Sequence, residues 1–286
     1  MKTKVLVTGA NGQLGKTLAS LKTKFKNLDF IFASTLDLDI TKSNQVETFF
    51  YTNKIDWCIN CAAYTAVDKA EKEPEKAKKV NVLGVKNLAL VCANKNVALI
   101  QISTDFVFNG EKSVAYTEKD TTKPTGVYGT TKLEGEIEII KKLEKYFIIR
   151  TSWLYSQNGN NFMKTMIKLS KERKKINVVS DQIGTPTYTT DLAEIMLKII
   201  TTNNKQYGTY HYSNEGVASW YDFAKAIFEE SNIDINVLPI KSEAYPTPAK
   251  RPHFSVLDKT KIKTNLKIEI PHWRVSLRKA IANNNE

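Results

Sequence analysis

Five short apolar runs alternate with amphipathic stretches across the first half of the chain. This alternation limits the fold more than any other feature. The runs are Lys4–Thr8, Asp29–Ser34, Trp57–Asn60, Ala98–Ser103 and Tyr146–Thr151, each rich in β-branched or aromatic residues. Between them lie stretches with helical periodicity: Gln13 to about Lys24, Ser43–Asn53, Glu75–Asn94 and Tyr128–Leu143. Continuous apolar strands are buried on both faces, which calls for helices on both sides of a parallel sheet. The predicted class is therefore α/β, a Rossmann-like doubly wound parallel sheet. Such sheets bind ligands beyond the carboxyl ends of their strands. The strings GANG, CAAYT, STD and TSW follow the first, third, fourth and fifth runs, and so share that mouth.

After residue 150 turns and polar stretches become more frequent, although INVVS, DLAEIMLKII, TYHYSN and SWYDFAKAIFEE still read as strands and helices. We expect residues 1–150 to form a nucleotide-binding domain, to which a strand and helix at about 175–200 return. Residues 151–286 are expected to form mainly a smaller α/β substrate-binding domain. Pro239, Pro246, Pro248 and Pro252 predict a long loop or arm, and an amphipathic helix, Trp273–Ala282, closes the chain.

At 286 residues, 42% hydrophobic and 25% charged, the composition is that of a globular protein. No apolar run reaches the roughly 18 residues of a membrane span. The first residues run straight into glycines without a signal-peptide pattern, so a cytoplasmic location is expected. The net charge of +12 comes from lysines spread along the chain beside glutamates, as in EKEPEKAKK. That distribution fits a solvated surface better than a nucleic-acid footprint, and neither nucleic acid nor membrane is expected as a partner. Cys58 and Cys61 form a C-x-x-C within a strand, where residues three apart point to opposite faces. They are expected to be buried small hydrophobes, like Cys92. His211, His253 and His272 form no ligand pattern.

The glycines Gly9, Gly12 and Gly15 stand between a strand and a helix. In that setting they permit a tight turn, close approach to a pyrophosphate and close helix packing. An acidic ribose or adenine contact belongs after the second strand. Asp37 and Asp39 both qualify, and each is equally suited to cap the next helix. No arginine follows there, so NADH and NADPH both stay open. Tyr128 and Lys132 lie one helical turn apart on a shared face. An ammonium near a phenol lowers the phenol's pKa, which would suit Tyr128 to proton transfer with a carbonyl or alcohol. Thr104, at the end of the fourth run, offers a hydroxyl beside it, or else satisfies its own turn.

The strings VTGANGQLG, LDLDIT, INCAAYTAVDKAE, NVLGVKNLA, ISTDFVFNG, YGTTKLEGE, RTSWLY, DQIGTPT, YHYSN and RPHFSVLD run in order over nearly the whole chain. Together they resemble the extended short-chain dehydrogenases/reductases and, within them, the dTDP-4-dehydrorhamnose reductase family. The resemblance implies hydride transfer from NADPH or NADH to the C4 ketone of dTDP-4-dehydro-β-L-rhamnose. In it Tyr128 protonates the alkoxide, Lys132 tunes it and Thr104 orients the oxygen. It places Gly9, Asn11, Gly12, Gln13 and Leu14 on the pyrophosphate side of the cofactor, Asp39 and Ile40 at the adenine, and Ala62, Ala63 and Tyr64 at its middle, with Tyr128 and Lys132 also touching it. It places Asp105 and Trp153 at the sugar, as well as Thr104, and Asn161, Phe162 and Arg251 at the dTDP part. The chain departs from the family string STDYVFDG at Phe106, which lacks a hydroxyl. Some members bridge a dimer through Mg2+ held by glutamates. Gly15 and Asp191 stand where such carboxylates are expected, so no metal ligand is assigned, and either a monomer or a homodimer is expected. Two other functions fit the same scaffold: a regulatory subunit resembling the β subunit of methionine adenosyltransferase, and a reductase of another 4-keto deoxysugar nucleotide.

Overall fold

The computed structural model describes residues 2–283. The five apolar runs form strands Thr3–Thr8 (β1), Leu28–Ala33 (β2), Trp57–Asn60 (β3), Ala98–Thr104 (β4) and Tyr146–Thr151 (β5). All pair in parallel, and a further parallel strand, Gly208–His211, adds to β5. The order across the sheet is Gly208–His211, β5, β4, β3, β1, β2. The chain leaves β1 toward β2 on one side, then comes back to β3 on the other. The crevice at that reversal is where open parallel sheets take their ligands. Register aligns the strand ends there: Thr8 lies beside Asn60, Asn60 beside Gln101 and Thr104 beside Thr151.

Alternate residues of each strand feed two cores. Val5, Val7, Ile59, Ile100 and Ile149 face helix Gln13–Leu21 and helix Thr189–Thr201. Leu6, Cys58, Leu99 and Ile148 face Val46, Phe50, Leu88 and Ile139 of the helices on the other side. Cys58 is thus buried in one core and Cys61 rests against the other, as strand periodicity predicts. Only the helix of the expected returning segment packs on this sheet. The strand Lys175–Val179 instead pairs with Asn236–Ile240. Its burial alternates, with Ile176 and Val178 inward and Lys175 and Asn177 exposed, which suits a half-buried ribbon rather than a central strand. Gly208–His211 takes the sheet position. The ribbon, helices Phe162–Glu172 and Trp220–Glu230, and the terminal helix Trp273–Ala282 enclose a third core around Tyr155, Phe223, Trp273 and Leu277.

Two boundaries differ from expectation. Pro239 sits within the strand Asn236–Ile240, opposite Val178; an edge position tolerates its missing N–H, so the arm begins only after Ile240. The stretch expected as one helix over Glu75–Asn94 is Pro74–Lys78 and Val85–Lys95, joined by a π-helical turn, Lys79–Gly84. Among the described residues no helix is long and apolar enough to cross a membrane.

Candidate active site

β1 delivers the chain into Gly9 at φ +63°, where a Cβ would lie 2.6 Å from the Ala62 nitrogen. Only glycine accommodates both the left-handed backbone and that approach. The Gly12 N–H closes the turn on the Gly9 carbonyl at 2.9 Å. A Cβ on Gly15 would lie 2.6 Å from the Gly9 oxygen, so glycine there lets helix Gln13–Leu21 sit directly on the loop. That helix starts with no side-chain cap and no acidic residue in its first turn. Its leading N–H groups and positive dipole end are left for an anion. Asn11 and Gly12 are exposed beside it, while the Leu14 side chain belongs to the core. Leu14 can therefore offer a ligand its main chain only.

Beyond β2 both acidic candidates serve their own turns. Asp37 accepts the Ser34 N–H and hydroxyl at 2.8 and 2.6 Å, and Asp39 accepts the Thr41 N–H and hydroxyl at 3.0 and 2.7 Å. Ile40 is buried under Gly84, and its carbonyl accepts from Asn87 at 2.9 Å.

The strand ends are tied by a buried polar ladder. Thr8 donates to Asn60 at 2.6 Å, Asn60 to Gln101 at 2.7 Å, and Gln101 to the Ile102 carbonyl at 2.8 Å. Asn60 also accepts the Ala62 N–H at 3.1 Å. The same Ile102 carbonyl accepts from the Lys132 ammonium at 2.6 Å. Asn81, in the π-helical turn, holds Tyr64 through both its N–H and its carbonyl, and reaches Thr131 on the helix of Tyr128. A π-turn inserted here aims one amide at two elements, the kind of site where such turns concentrate. The segment Ala62, Ala63, Tyr64 is thus pinned from both sides, with the Tyr64 hydroxyl on Glu73 at 2.8 Å.

Helix Val127–Lys142 carries Tyr128 and Lys132. Its first N–H, from Val127, is capped by Glu71 at 2.8 Å, and Gly126 leaves room for that carboxylate. Phe106 packs edge-on to the Tyr128 ring, with centroids 5.6 Å apart. Burial pushes the Tyr128 phenol up to about 12, the Thr104 hydroxyl acts against this and the Asp105 charge adds to it. The expected lowering by Lys132 is absent. Its ammonium is spent on the Ile102 carbonyl and lies among Glu136 and Cys61, and burial brings it down to about 8. At neutral pH the phenol therefore holds its proton, which suits an acid donating to a ketone oxygen. Asp105, expected at the sugar, is 2% exposed behind Thr104.

Across the mouth, Trp153 follows β5 at φ +47°, a strained value for a bulky residue. It stacks on Trp220 with centroids 3.5 Å apart, over Gly184. Behind this pair opens a cavity of about 830 Å³ lined by Phe162, Arg173, Lys175, Gln182, Trp220 and Arg251 among others. Tyr128 and Lys132 do not line it. Arg251 forms a bidentate pair with Asp68, at 3.1 and 2.8 Å. The guanidinium holds the Asp68 carboxyl below its usual range. Asn161 caps helix Phe162–Glu172 through its carbonyl and uses its amide on Gln13 and Ser156. It ties the glycine loop's helix to the second half of the chain rather than presenting a free amide.

These parts match a family in both sequence and shape. The family model described as RmlD substrate binding domain matches residues 3–285. The chain is 42% identical to the dTDP-4-dehydrorhamnose reductase of Aggregatibacter actinomycetemcomitans, over 96% of this chain and 97% of that one. The chain belongs to the dTDP-4-dehydrorhamnose reductase family. A structure of the dTDP-4-dehydrorhamnose reductase from Bacillus anthracis in complex with NADP superimposes with a TM-score of 0.96 at 42% identity, covering 99% and 100% of the two chains. The Clostridium acetobutylicum reductase superimposes with a TM-score of 0.94 at 45% identity, again over 99% and 100%.

The fold brings Gly9, Gly12, Gln13, Ala62, Thr104, Tyr128 and Lys132 around the strand ends, and places Phe162 and Arg251 at the separate cavity, with Trp153 between. Asn60, Gln101, Asn81, Glu71 and Asp68 escaped the sequence reading. Asn81 alone carried a signal, as a polar residue buried in an otherwise apolar helical pattern. Among the described residues no group of three His, Cys, Asp or Glu side chains is placed to hold a metal ion. Gly15 packs on the loop, and Asp191 is bonded to Asn214 and Ser276.

Proposed function

We propose that the chain reduces the C4 ketone of dTDP-4-dehydro-β-L-rhamnose, using NADPH or NADH, and yields dTDP-β-L-rhamnose. The observation that carries this reading is the half-buried Tyr128 on its helix at the strand ends, next to an uncapped glycine-loop helix, with an aromatic and cationic cavity beyond Trp153. The cofactor supplies the hydride. The loop Gly9–Leu14 offers main-chain donors to its pyrophosphate, the turn at Asp39 and Ile40 borders its adenosine end, and Ala62, Ala63 and Tyr64 form its floor. Lys132, fixed by the Ile102 carbonyl, stands ready for ribose hydroxyls. Tyr128 gives the proton to the new alkoxide and Thr104 orients it.

On the substrate side Trp153 meets the sugar. Phe162 and Trp220 provide faces for the thymine, and Arg251 provides a fork for the diphosphate. Asp68 preorganises Arg251 and competes with the substrate for it. Arg251→Ala is expected to raise KM for the dTDP-sugar by roughly 10–100-fold, the loss of a charge-assisted bidentate contact worth about 1.5–3 kcal/mol. NADPH affinity should not change. Steady-state kinetics with a cofactor titration separate the two; an unchanged KM would remove Arg251 from the substrate site.

The regulatory-subunit reading predicts stable capture of a methionine adenosyltransferase and no binding of dTDP-sugars. The intact trio Thr104, Tyr128 and Lys132 favours catalysis over that reading. A reductase of a different 4-keto sugar would instead turn over another member of a panel of dTDP- and UDP-4-keto sugars faster.

A further inference from the structure

Six cations crowd one short stretch of the second half of the chain. Lys164, Lys168 and Lys171 stand on helix Phe162–Glu172, and Arg173, Lys174 and Lys175 lead from it into the ribbon strand Lys175–Val179. All six are exposed. Spacings of four and three put Lys164, Lys168 and Lys171 on one face of the helix, where with Ile167 they line a shallow groove. The adjoining face carries Phe162, Thr165 and Leu169, which line the large cavity together with Arg173 and Lys175. The cationic stripe therefore runs along the rim of that cavity and turns into it after the helix ends.

Folding gains little from this arrangement. Like charges at i, i+4 destabilise a helix, and a cation in the first turn, as at Lys164, faces the positive end of the dipole. Lys171, in the last turn, is the one that the dipole favours. Elsewhere surface lysines stand beside acids, as in Lys42–Asp39, Lys76–Glu73 and Lys142–Glu138. Among the described residues none of the six forms an ion pair. Helix Trp220–Glu230 packs on both the helix and the ribbon strand, but its acids are taken. Asp222 caps with Ser219, and Glu229 and Glu230 pair with Arg274 and Arg278. Within residues 164–175 the six cations meet Glu172 alone.

A field with no partner inside the fold acts on what approaches from outside. Resting on the reductase reading above, we propose that this basic rim draws the diphosphate of the sugar nucleotide to the cavity and steers it toward Arg251. The diphosphate is doubly ionised at neutral pH. A cleft lined by charge of the opposite sign raises the local concentration of such a ligand and its rate of entry by roughly 10–10³-fold. Arg173 and Lys175 stand at the cavity itself, whereas Lys168, Lys171 and Lys174 do not line it and act through their field. The rim works on substrate capture and leaves the chemical step unchanged.

The test removes charge from the rim without touching the cavity. kcat and KM for the dTDP-sugar are measured at saturating NADPH across ionic strength. Wild type is compared with the triple variant Lys168→Gln, Lys171→Gln, Lys174→Gln and with a control triple, Lys22→Gln, Lys26→Gln, Lys54→Gln. The control lysines are exposed and precede β2 and β3, at the edge of the sheet away from the mouth. At an ionic strength of about 0.01 M, where charges act over about 30 Å, the rim variant should lower kcat/KM by roughly tenfold, through KM, with kcat unchanged. At about 1 M, where that range shrinks to about 3 Å, it should match wild type. The control triple should follow wild type throughout. A rim variant that follows wild type at low salt, a loss that persists at high salt, or an equal loss in the control each overturns the steering proposal, while wild-type turnover keeps the reductase reading standing. Absence of turnover in wild type overturns both.

Discussion

Tyr128→Phe is expected to lower kcat by roughly 10²–10⁴-fold, the range for a lost general acid, while NADPH affinity stays unchanged. The substitution keeps the ring and its edge contact with Phe106, so the scaffold loses only a hydroxyl. The phenol is set to about 12 by burial, and no other group in the site presents a proton to the same place. Thr104 lacks the acidity to replace it, and the Lys132 ammonium is held by the Ile102 carbonyl. Single-turnover NADPH oxidation measured by absorbance, with a fluorescence titration of cofactor binding, checks both halves. A near-unchanged rate would remove Tyr128 from the chemistry.

Gly9→Ala should weaken NADPH binding by at least about tenfold, equivalent to about 1.4 kcal/mol. Two costs combine. An L-residue in the left-handed region costs roughly 1–2 kcal/mol, and the new methyl would meet the Ala62 nitrogen at 2.6 Å. The obstruction is backbone on both sides, so the loop must move. That displaces Gly12, whose N–H closes on the Gly9 carbonyl, and disturbs the Ala62 segment as well. Cofactor titration tests this, and a wild-type Kd would show that the loop does not form the cofactor site.

The sheet and its strand ends were legible because they rest on local pattern. Apolar runs such as Val5–Val7 and Leu99–Ile102 declare burial without any partner being known, and glycines between strand and helix declare a loop. The same logic misplaced the returning strand, because Lys175–Val179 looks like any other apolar run until its alternate burial is seen. The site was less legible wherever it depends on pairs distant in sequence. Asn60 meets Gln101 and Asp68 meets Arg251; neither pair follows a helical or strand period. The expected Lys132 effect on Tyr128 failed for a related reason. Sharing a helix face does not decide where a flexible ammonium goes, and a strand-end carbonyl thirty residues away took it. The bond between the Asp105 carboxyl and the neighbouring Thr104 hydroxyl, likewise, carries no signal in the string that suggests a sugar contact for Asp105.

The most direct measurement of the central claim follows the hydride itself. NADPH deuterated at C4 of the nicotinamide is incubated with the protein and dTDP-4-dehydro-β-L-rhamnose, and the product is read by mass spectrometry and NMR. One deuterium per molecule is expected, on C4 of dTDP-β-L-rhamnose, with one cofactor oxidised for each product formed. Unchanged sugar, or reduced sugar carrying no deuterium at C4, would contradict it.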